Sequence, residues 1–566
     1  MNNSAELLAR EWGTIIKKWK GKVPIALLFP NVYHLAMSNL GMQLVYRIAG
    51  GHPDIVCERV FLPEEKGAVP VSVESGRLLT DFPIILCSLS FESDYLNLLR
   101  MLLTAAVEPL AAERCGRPPL LIGGGVATFI NPEPMAPFVD LYVVGDAEVL
   151  LPGLLDRLSG VDLDRPDWPA GVLQEYAARP GYYVPVKYSY SYDDNGDFTG
   201  VAAAAGALLP VEKRVCSAPQ QAGHSELLTP NTEFADLYLT ELGRGCSRAC
   251  RFCAAGFVYR PPRLWQSKAI ISALQEMPAG CSRVGLLGME MAHADDLAAV
   301  ARFLEGRGCA LSFSSLRADA LTDELVSLLQ SSKLKSAAIA PDGASERLRR
   351  VINKGLTSRD IITAARTLVT AGVSNLKLYF MVGLPTETRE DLGCLVELVK
   401  EVKVAIDEVG RARGRLTTIT VSLNSFVPKA WTPFQYAAFA GVATLKERIK
   451  YIRRELKALA NVKLKVDKPD NAFFQAVLAR GDRRLAYALL DMARTGRNWR
   501  QVLKSHGLDP LAIVRARGRD EKFCWQVLDH GMTSDYLWQE FSKALAEKTS
   551  RPCDTTRCRR CGVCGD

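Results

Sequence analysis

Short unbroken apolar runs alternate along this chain with segments whose apolar residues recur every three or four positions. Pro24-Ile-Ala-Leu-Leu-Phe-Pro30, Pro83-Ile-Ile-Leu-Cys-Ser-Leu89, Pro119-Leu-Leu-Ile-Gly-Gly-Gly125 and Leu141-Tyr-Val-Val-Gly145 are of the first kind. Such runs suit strands buried on both faces of a parallel sheet. Helical spacing covers residues 39–49, 93–108 and 147–158 between and after them. The alternation predicts a doubly wound, Rossmann-like α/β domain over residues 21–160. Ligands of such folds bind outside the carboxyl ends of the strands, where Ser88, Gly123 and Gly124 fall. Ahead of this domain, Leu7, Leu8, Trp12, Ile15 and Ile16 predict one amphipathic helix within residues 1–20.

Residues 161–232 are rich in turn signals and read as a linker, with a hairpin expected between Tyr183 and Tyr192. The strand–helix alternation then resumes. Strands read at 236–242, 283–287, 310–313, 336–339, 376–382 and 417–421, with helical spacing near 267–277, 294–306, 321–331, 357–372 and 387–407. Six such units predict a parallel barrel, or part of one, within a core domain at 233–440, its site at the carboxyl ends of the strands. Residues 441–545 read as a mostly helical extension and 546–566 as a cysteine-rich tail.

Composition adds limits. The net charge of +8 over 566 residues permits an anionic partner without requiring one. No apolar run is long enough to span a membrane, and the N-terminus lacks the apolar core of a signal peptide, so a cytoplasmic protein is expected. The 15 cysteines form two tight clusters plus singletons, a pattern of metal binding in a reducing compartment. The singletons Cys57, Cys87, Cys115, Cys281, Cys309, Cys394 and Cys524 read as small buried residues.

The first cluster is Cys246, Cys250 and Cys253, in C-x3-C-x2-C spacing directly after a strand. A closed structural site takes four protein ligands. Three thiolates on a four-iron cluster leave one iron open to another molecule. The motif resembles that of the radical S-adenosylmethionine (SAM) superfamily, in which the open iron chelates SAM and an electron from the cluster cleaves it to a 5′-deoxyadenosyl radical. The resemblance implies a partial (β/α)6 barrel and further SAM-binding positions: Phe252 over the adenine, Gly288 and Glu290 at the ammonium, Ser315 and Arg317 toward the carboxylate, Glu346 near the ribose and Gly383 along the adenine. The alternatives are a core aromatic at Phe252, a structural ion pair for Arg317 and helix-start roles for Ser345 and Glu346. Arg347, Arg349, Arg350 and Lys354 read as a solvated helix face.

Ser38-Asn-Leu-Gly41, Ser88-Leu-Ser90, the stretch from Gly123 to Pro134 and Gly145-Asp-Ala-Glu148 resemble the cobalamin-binding-like domain that precedes many radical SAM domains. Phe426-Val-Pro-Lys-Ala-Trp-Thr-Pro-Phe-Gln435 is similar to a block of the same branch. The resemblance implies Ser88, Gly123 and Gly124 as cobalamin contacts. The loop that supplies an axial histidine to cobalt is absent, so cobalamin and a domain without it both stay open.

The tail cysteines Cys553, Cys558, Cys561 and Cys564 can close a four-ligand site, with zinc and a second 4Fe–4S cluster both open. The expected function is reductive SAM cleavage, with an electron donor of flavodoxin or ferredoxin type, to modify an unidentified substrate, by methylation if cobalamin binds. The alternatives are an RNA-modifying enzyme of methylthiotransferase type, suggested by the basic helix at 446–457, and a non-catalytic iron–sulfur or zinc scaffold.

Overall fold

The computed structural model describes residues 4–564 apart from 236, 291–292, 314–316, 323–325, 328 and 331–333. Its first sheet comprises β1 (Val23–Phe29), β2 (Ile55–Phe61), β3 (Ile84–Ser88), β4 (Leu120–Gly124), β5 (Leu141–Val143) and β6 (Tyr182–Tyr183). The order is β2-β1-β3-β4-β5-β6, parallel except for the β5–β6 pair. Because β1 lies between β2 and β3, the topology switches there and leaves a crevice at the strand ends.

β2 escapes an apolar-run reading because Glu58 and Arg59 interrupt it. Both are buried. Arg59 is neutralised by Glu11 at 2.7 Å and Glu74 at 2.6 Å. That pairing also corrects the expected N-terminal helix, which covers only Ser4–Ala9. Trp12 pairs with Leu228 instead, and Gly13 has φ +90°, with a Cβ there falling 2.0 Å from the Glu226 carbonyl oxygen. The helix therefore ends early and an arm carries Glu11 to Arg59.

The linker is structured. A helix (Trp168–Ala177) and β6 complete the first domain, and β7 (Tyr188–Tyr192) pairs with β8 (Phe198–Ala203) as a hairpin that starts later than expected. The hairpin braces the C-terminal helices, with Arg483 and Arg484 stacked 3.8 and 3.9 Å over Tyr190 and Tyr192. A short strand, β9 (Val211–Glu212), follows.

The central region contains β10 (Tyr238–Glu241), β11 (Gly243–Arg244), β12 (Arg263–Leu264), β13 (Arg283–Leu287), β14 (Ala310–Phe313), β15 (Ser336–Asp342), β16 (Asn375–Val382), β17 (Thr418–Ser425) and β18 (Val462–Val466). β10-β13-β14 and β15-β16-β17-β18 are two parallel sheets. The six expected strands are present, but β18 joins them from beyond residue 440. Its alternation of Val462, Leu464 and Val466 with Lys463 and Lys465 suits an edge strand. The helix expected at 321–331 lies partly outside the described residues.

β19 (Leu528–Asp529) pairs with β9, and the helix Ser534–Leu545 precedes the tail. One hydrophobic core runs from a face of the first sheet through the four-stranded sheet into the C-terminal helices. A second fills the other face of the first sheet, and a third lies against the three-stranded sheet. Polar ties reinforce the join: Asn131 donates to the Gly481 carbonyl at 2.7 Å, and Glu133 meets Arg483 at 2.9 Å. Among the described residues no helix is long and apolar enough to cross a membrane.

Candidate active site

β10 delivers the chain to the thiol loop, and β11 pairing with β12 closes it at both ends. Two glycines make the closure possible. A Cβ on Gly243 (φ +154°) would lie 2.3 Å from the Arg263 carbonyl oxygen, and one on Gly245 (φ +86°) 2.8 Å from that of Tyr259. Cys246, Cys250 and Cys253 are all half-buried on this loop.

Three elements pin it. From the β13 end, the Glu290 carboxylate accepts from Ser247 N–H at 2.7 Å and Ser247 Oγ at 2.6 Å. From behind β15, Asn353 donates to the Arg248 and Ala249 carbonyls at 3.2 and 3.3 Å. From the C-terminus, Glu540 and the Lys548 carbonyl take the guanidinium of Arg251, which also donates to the carbonyls of Arg350 and Val351. Arg251 and Glu540 are fully buried.

Burial pushes the Cys250 thiol up to about 12 and raises Cys246 and Cys253, against the pull of neighbouring groups, among them the Lys354 ammonium beside Cys250 and Cys253. Lys354 itself bridges to Asp342 at 2.6 Å. The expected solvated face is thus corrected for Arg347, Arg349 and Lys354, whereas Arg350 is exposed as expected. Arg349 is buried, and Arg347 and Arg350 reach Glu547. Arg317 donates to the Lys354 carbonyl at 2.8 Å and pairs with Asp319, so it stands in the same cationic rim. Sequence reasoning missed Arg251, Asn353 and Lys354 as supports of this loop. Only Arg251 carried a signal, its place inside the motif.

The other expected positions divide. Phe252 packs against the main core. Ser345 caps the helix Glu346–Val351, and Glu346 accepts from Ser358 N–H at 2.7 Å. Gly383 (φ +90°) is a tight turn whose N–H donates to Glu387. It borders a separate cavity of about 310 Å³ with Glu387, Arg448 and Phe541, away from the thiols. Ser315 lies outside the described residues. The basic helix Val442–Lys457 has Arg448 turned to Glu387, Lys446 to Asp470 and Arg454 to Glu455. Among the singleton cysteines Cys57, Cys87 and Cys524 are buried, whereas Cys115 and Cys394 are exposed.

Ser88, Gly123, Gly124 and Gly288 do come together. They line a cavity of about 560 Å³ between the strand ends of the first sheet and the central domain. Arg244, Tyr259 and Met289 form its far wall. Gly124 has nothing within 4 Å of where a Cβ would sit. Gly125 (φ +105°) would place one 2.4 Å from the Leu89 carbonyl oxygen. Arg244, two residues before Cys246, reaches across to Glu148 at 2.7 Å and Asp146 at 3.2 Å, and also holds Glu241 at 3.1 Å. Burial pushes Asp146 up, but Arg244 and Arg263 outweigh it and leave its pKa below the ordinary carboxylate range.

This is the architecture of an α/β enzyme that presents three thiols beside a cavity shared by two domains. Residues 240–399 match the family described as "Radical SAM superfamily", and residues 41–185 match "Radical SAM proteins, N-terminal". The chain belongs to the radical SAM superfamily. It is an enzyme of that superfamily, whose cofactors are a 4Fe–4S cluster and SAM and whose members need a reductant. The uncharacterized protein MJ0966 of Methanocaldococcus jannaschii is 29% identical over 471 residues, covering 82% of this chain and 89% of that protein. Among solved structures, the radical SAM methyltransferase TsrM of Kitasatospora setae, with cobalamin and a [4Fe-4S] cluster bound, is 12% identical with a TM-score of 0.46. It covers 86% of this chain and 99% of its own. The cobalamin-dependent radical enzyme OxsB, with aqua-cobalamin and SAM bound, is 12% identical with a TM-score of 0.44 and covers 93% and 79%.

The thiol loop fits an iron–sulfur cluster in donor chemistry. Its three thiols are flanked by Lys354, Arg317 and Arg248, cations that suit a net negative cluster–thiolate assembly. Among the described residues no three Cys, His, Asp or Glu side chains are gathered as a single-ion site. A four-iron core is wider than one ion and separates its ligand sulfurs further.

Proposed function

We propose that Cys246, Cys250 and Cys253 hold the cluster that cleaves SAM, and that the interdomain cavity takes a cobalamin, making the enzyme a methyltransferase for an unactivated position. The observation that carries the second half is the cavity. It lies at the topological switch point of a doubly wound sheet, floored by Ser88, Gly123 and Gly124, and its opposite wall is the base of the thiol loop. The absence of a side chain at Gly124 leaves room for a large planar group to lie on the strand ends. A corrin there supplies a methyl carrier next to a source of carbon radicals.

The chain's own residues do the remaining work. Glu290, held against Ser247, fixes the loop between the first two thiols. Arg244 keeps the cavity wall and the loop in one register. Tyr259 and Phe129, packed edge to face at 6.3 Å, close the apolar side of the cavity against water.

The test is anaerobic purification from cells supplied with cobalamin, followed by iron and corrin analysis and incubation with SAM and dithionite. The expected result is one corrin per chain and formation of 5′-deoxyadenosine, both S-adenosylhomocysteine and methylated corrin appearing with time. Absence of corrin with 5′-deoxyadenosine still formed would remove the methyltransferase reading alone. Equal 5′-deoxyadenosine from Cys250→Ala would remove the assignment of the three thiols.

A further inference from the structure

The tail is not a loose appendage. Cys553 N–H donates to the Ser247 carbonyl at 2.6 Å, and Ser247 directly follows Cys246. The Cys561 carbonyl accepts from Thr533 N–H at 3.1 Å, and Cys561 is buried. Ser550 N–H donates to Asn353, the residue that holds the Arg248 and Ala249 carbonyls, at 2.8 Å. The tail cysteines thus lie against the rear of the thiol loop.

A second arginine points to what they hold. Arg260, at the end of the same loop, is 2% exposed. Its Nε donates to the Gly256 carbonyl at 3.2 Å and its Nη1 to Tyr536 at 3.0 Å. Its Nη2 is buried and has no partner among the described residues, and the group lies within electrostatic reach of Cys553 and Cys561. A buried cation with an unspent N–H is costly unless an anion faces it. A metal core bound by four thiolates is such an anion, and its sulfurs accept N–H donors. Arg560 already approaches Cys558 Sγ at 3.3 Å from the solvent side. Four thiolates can close a site for zinc or for a 4Fe–4S core. Of the two only the iron–sulfur core can take up an electron, and Cys553 stands one hydrogen bond from the residue that follows Cys246.

The surface around these cysteines is basic. Arg551, Arg557, Arg559 and Arg560 are exposed, and the one carboxylate among them, Asp554, is hydrogen-bonded to Thr556. We propose that the tail is the electron-intake site of this enzyme: Cys553, Cys558, Cys561 and Cys564 hold a second iron–sulfur cluster, and an acidic one-electron carrier protein docks on the arginines around it. The carrier loses one electron, the tail cluster gains it and passes it to the catalytic cluster, and no bond or proton changes hands. The path between the clusters' ligands crosses a single hydrogen bond, Cys553 N–H to Ser247 C=O. The proposal rests on the reading that Cys246, Cys250 and Cys253 hold the reducible cluster.

The full-length Cys246→Ala/Cys250→Ala/Cys253→Ala variant, purified without oxygen, is expected to keep roughly four irons and four sulfides per chain and a reducible electron-paramagnetic signal. Zinc in their place, or no metal, overturns the proposal. In otherwise wild-type protein, Arg557→Glu/Arg559→Glu keeps every cysteine and is expected to slow freeze-quenched reduction of the catalytic cluster by flavodoxin hydroquinone about tenfold, far more than it slows reduction by dithionite. High salt should narrow the gap. Equal slowing by both reductants, or none, overturns docking at the tail. Wild-type protein whose tail cluster is reduced by dithionite but which cleaves no SAM would mark failure of the three-thiol reading separately.

Discussion

Arg251 stands between two thiols of the motif, yet its guanidinium faces away from them into the protein. It satisfies the carbonyls of Arg350 and Val351 at the end of the helix Glu346–Val351 and the carboxylate of Glu540. Removing one partner of a buried pair strands the other, at a cost of about 3–5 kcal/mol. Arg251→Ala should therefore lower the melting temperature sharply and shed iron, and Arg251→Lys should rescue little, since one ammonium cannot serve four acceptors. Calorimetry and iron content check both. Glu387 is the contrasting case. Burial pushes its carboxyl up to about 7, only partly offset by the Gly383 N–H and Arg448. A folded pKa above the unfolded one means stability that is full below about 4.5 and lost as pH rises through about 7, on the order of 3 kcal/mol. Glu387→Gln should flatten the pH dependence of urea unfolding across that window. An unchanged slope would show that the carboxyl is not titrating there.

At the scale of the element, the end of β4 separates two kinds of glycine. Gly124 faces the interdomain cavity with open space, whereas Gly125 is forced by a left-handed turn against the Leu89 carbonyl. Gly124→Trp should abolish corrin binding, and Gly124→Ala, whose Cβ meets open space, should leave the melting temperature within a degree or two of wild type (roughly ±0.5 kcal/mol for such a change). Gly125→Ala should destabilise the domain by about 1–3 kcal/mol whatever the cavity holds. Corrin titration and thermal melts separate the two. The element scale also shows how far the sequence could be read. The apolar runs of β1, β3, β4 and β5 were legible because those strands are buried on both faces. β2 was not, because other parts of the chain satisfy its polar pair: Trp19 donates to Glu58, and Glu11 and Glu74 neutralise Arg59. The early end of the N-terminal helix has the same origin: helical spacing continues to Ile16, but pairing with Leu228 and the reach of Glu11 to Arg59 prevail.

At the scale of the molecule, Arg244 joins two domains at the cavity. Its partners Asp146 and Glu148 open a helix of the first domain, and Glu241 ends the strand that feeds the thiol loop. Arg244→Gln should raise amide hydrogen exchange at 243–263 and at 146–150 together, and bound corrin should suppress both in the wild type. Exchange rising on one side only would show that the domains are held elsewhere, for example by Arg483 with Glu133. The C-terminal extension belongs to the same unit. β18 completes the four-stranded sheet, and Glu540 and Ser550 fasten the thiol loop from behind.

By itself the sequence determined the cysteine motif that resembles the radical SAM superfamily and the class of fold. Cysteine spacing and strand–helix periodicity are local, carried by residues a few positions apart, and the C-x3-C-x2-C loop, the doubly wound domain and the partial barrel follow from them. The tertiary structure alone decided what surrounds those thiols. Glu290, Asn353, Glu540 and the tail meet the loop across separations that leave no periodic trace. The cavity between Gly124 and Arg244 exists only once two domains pack, because its walls come from strand ends more than a hundred residues apart in the chain.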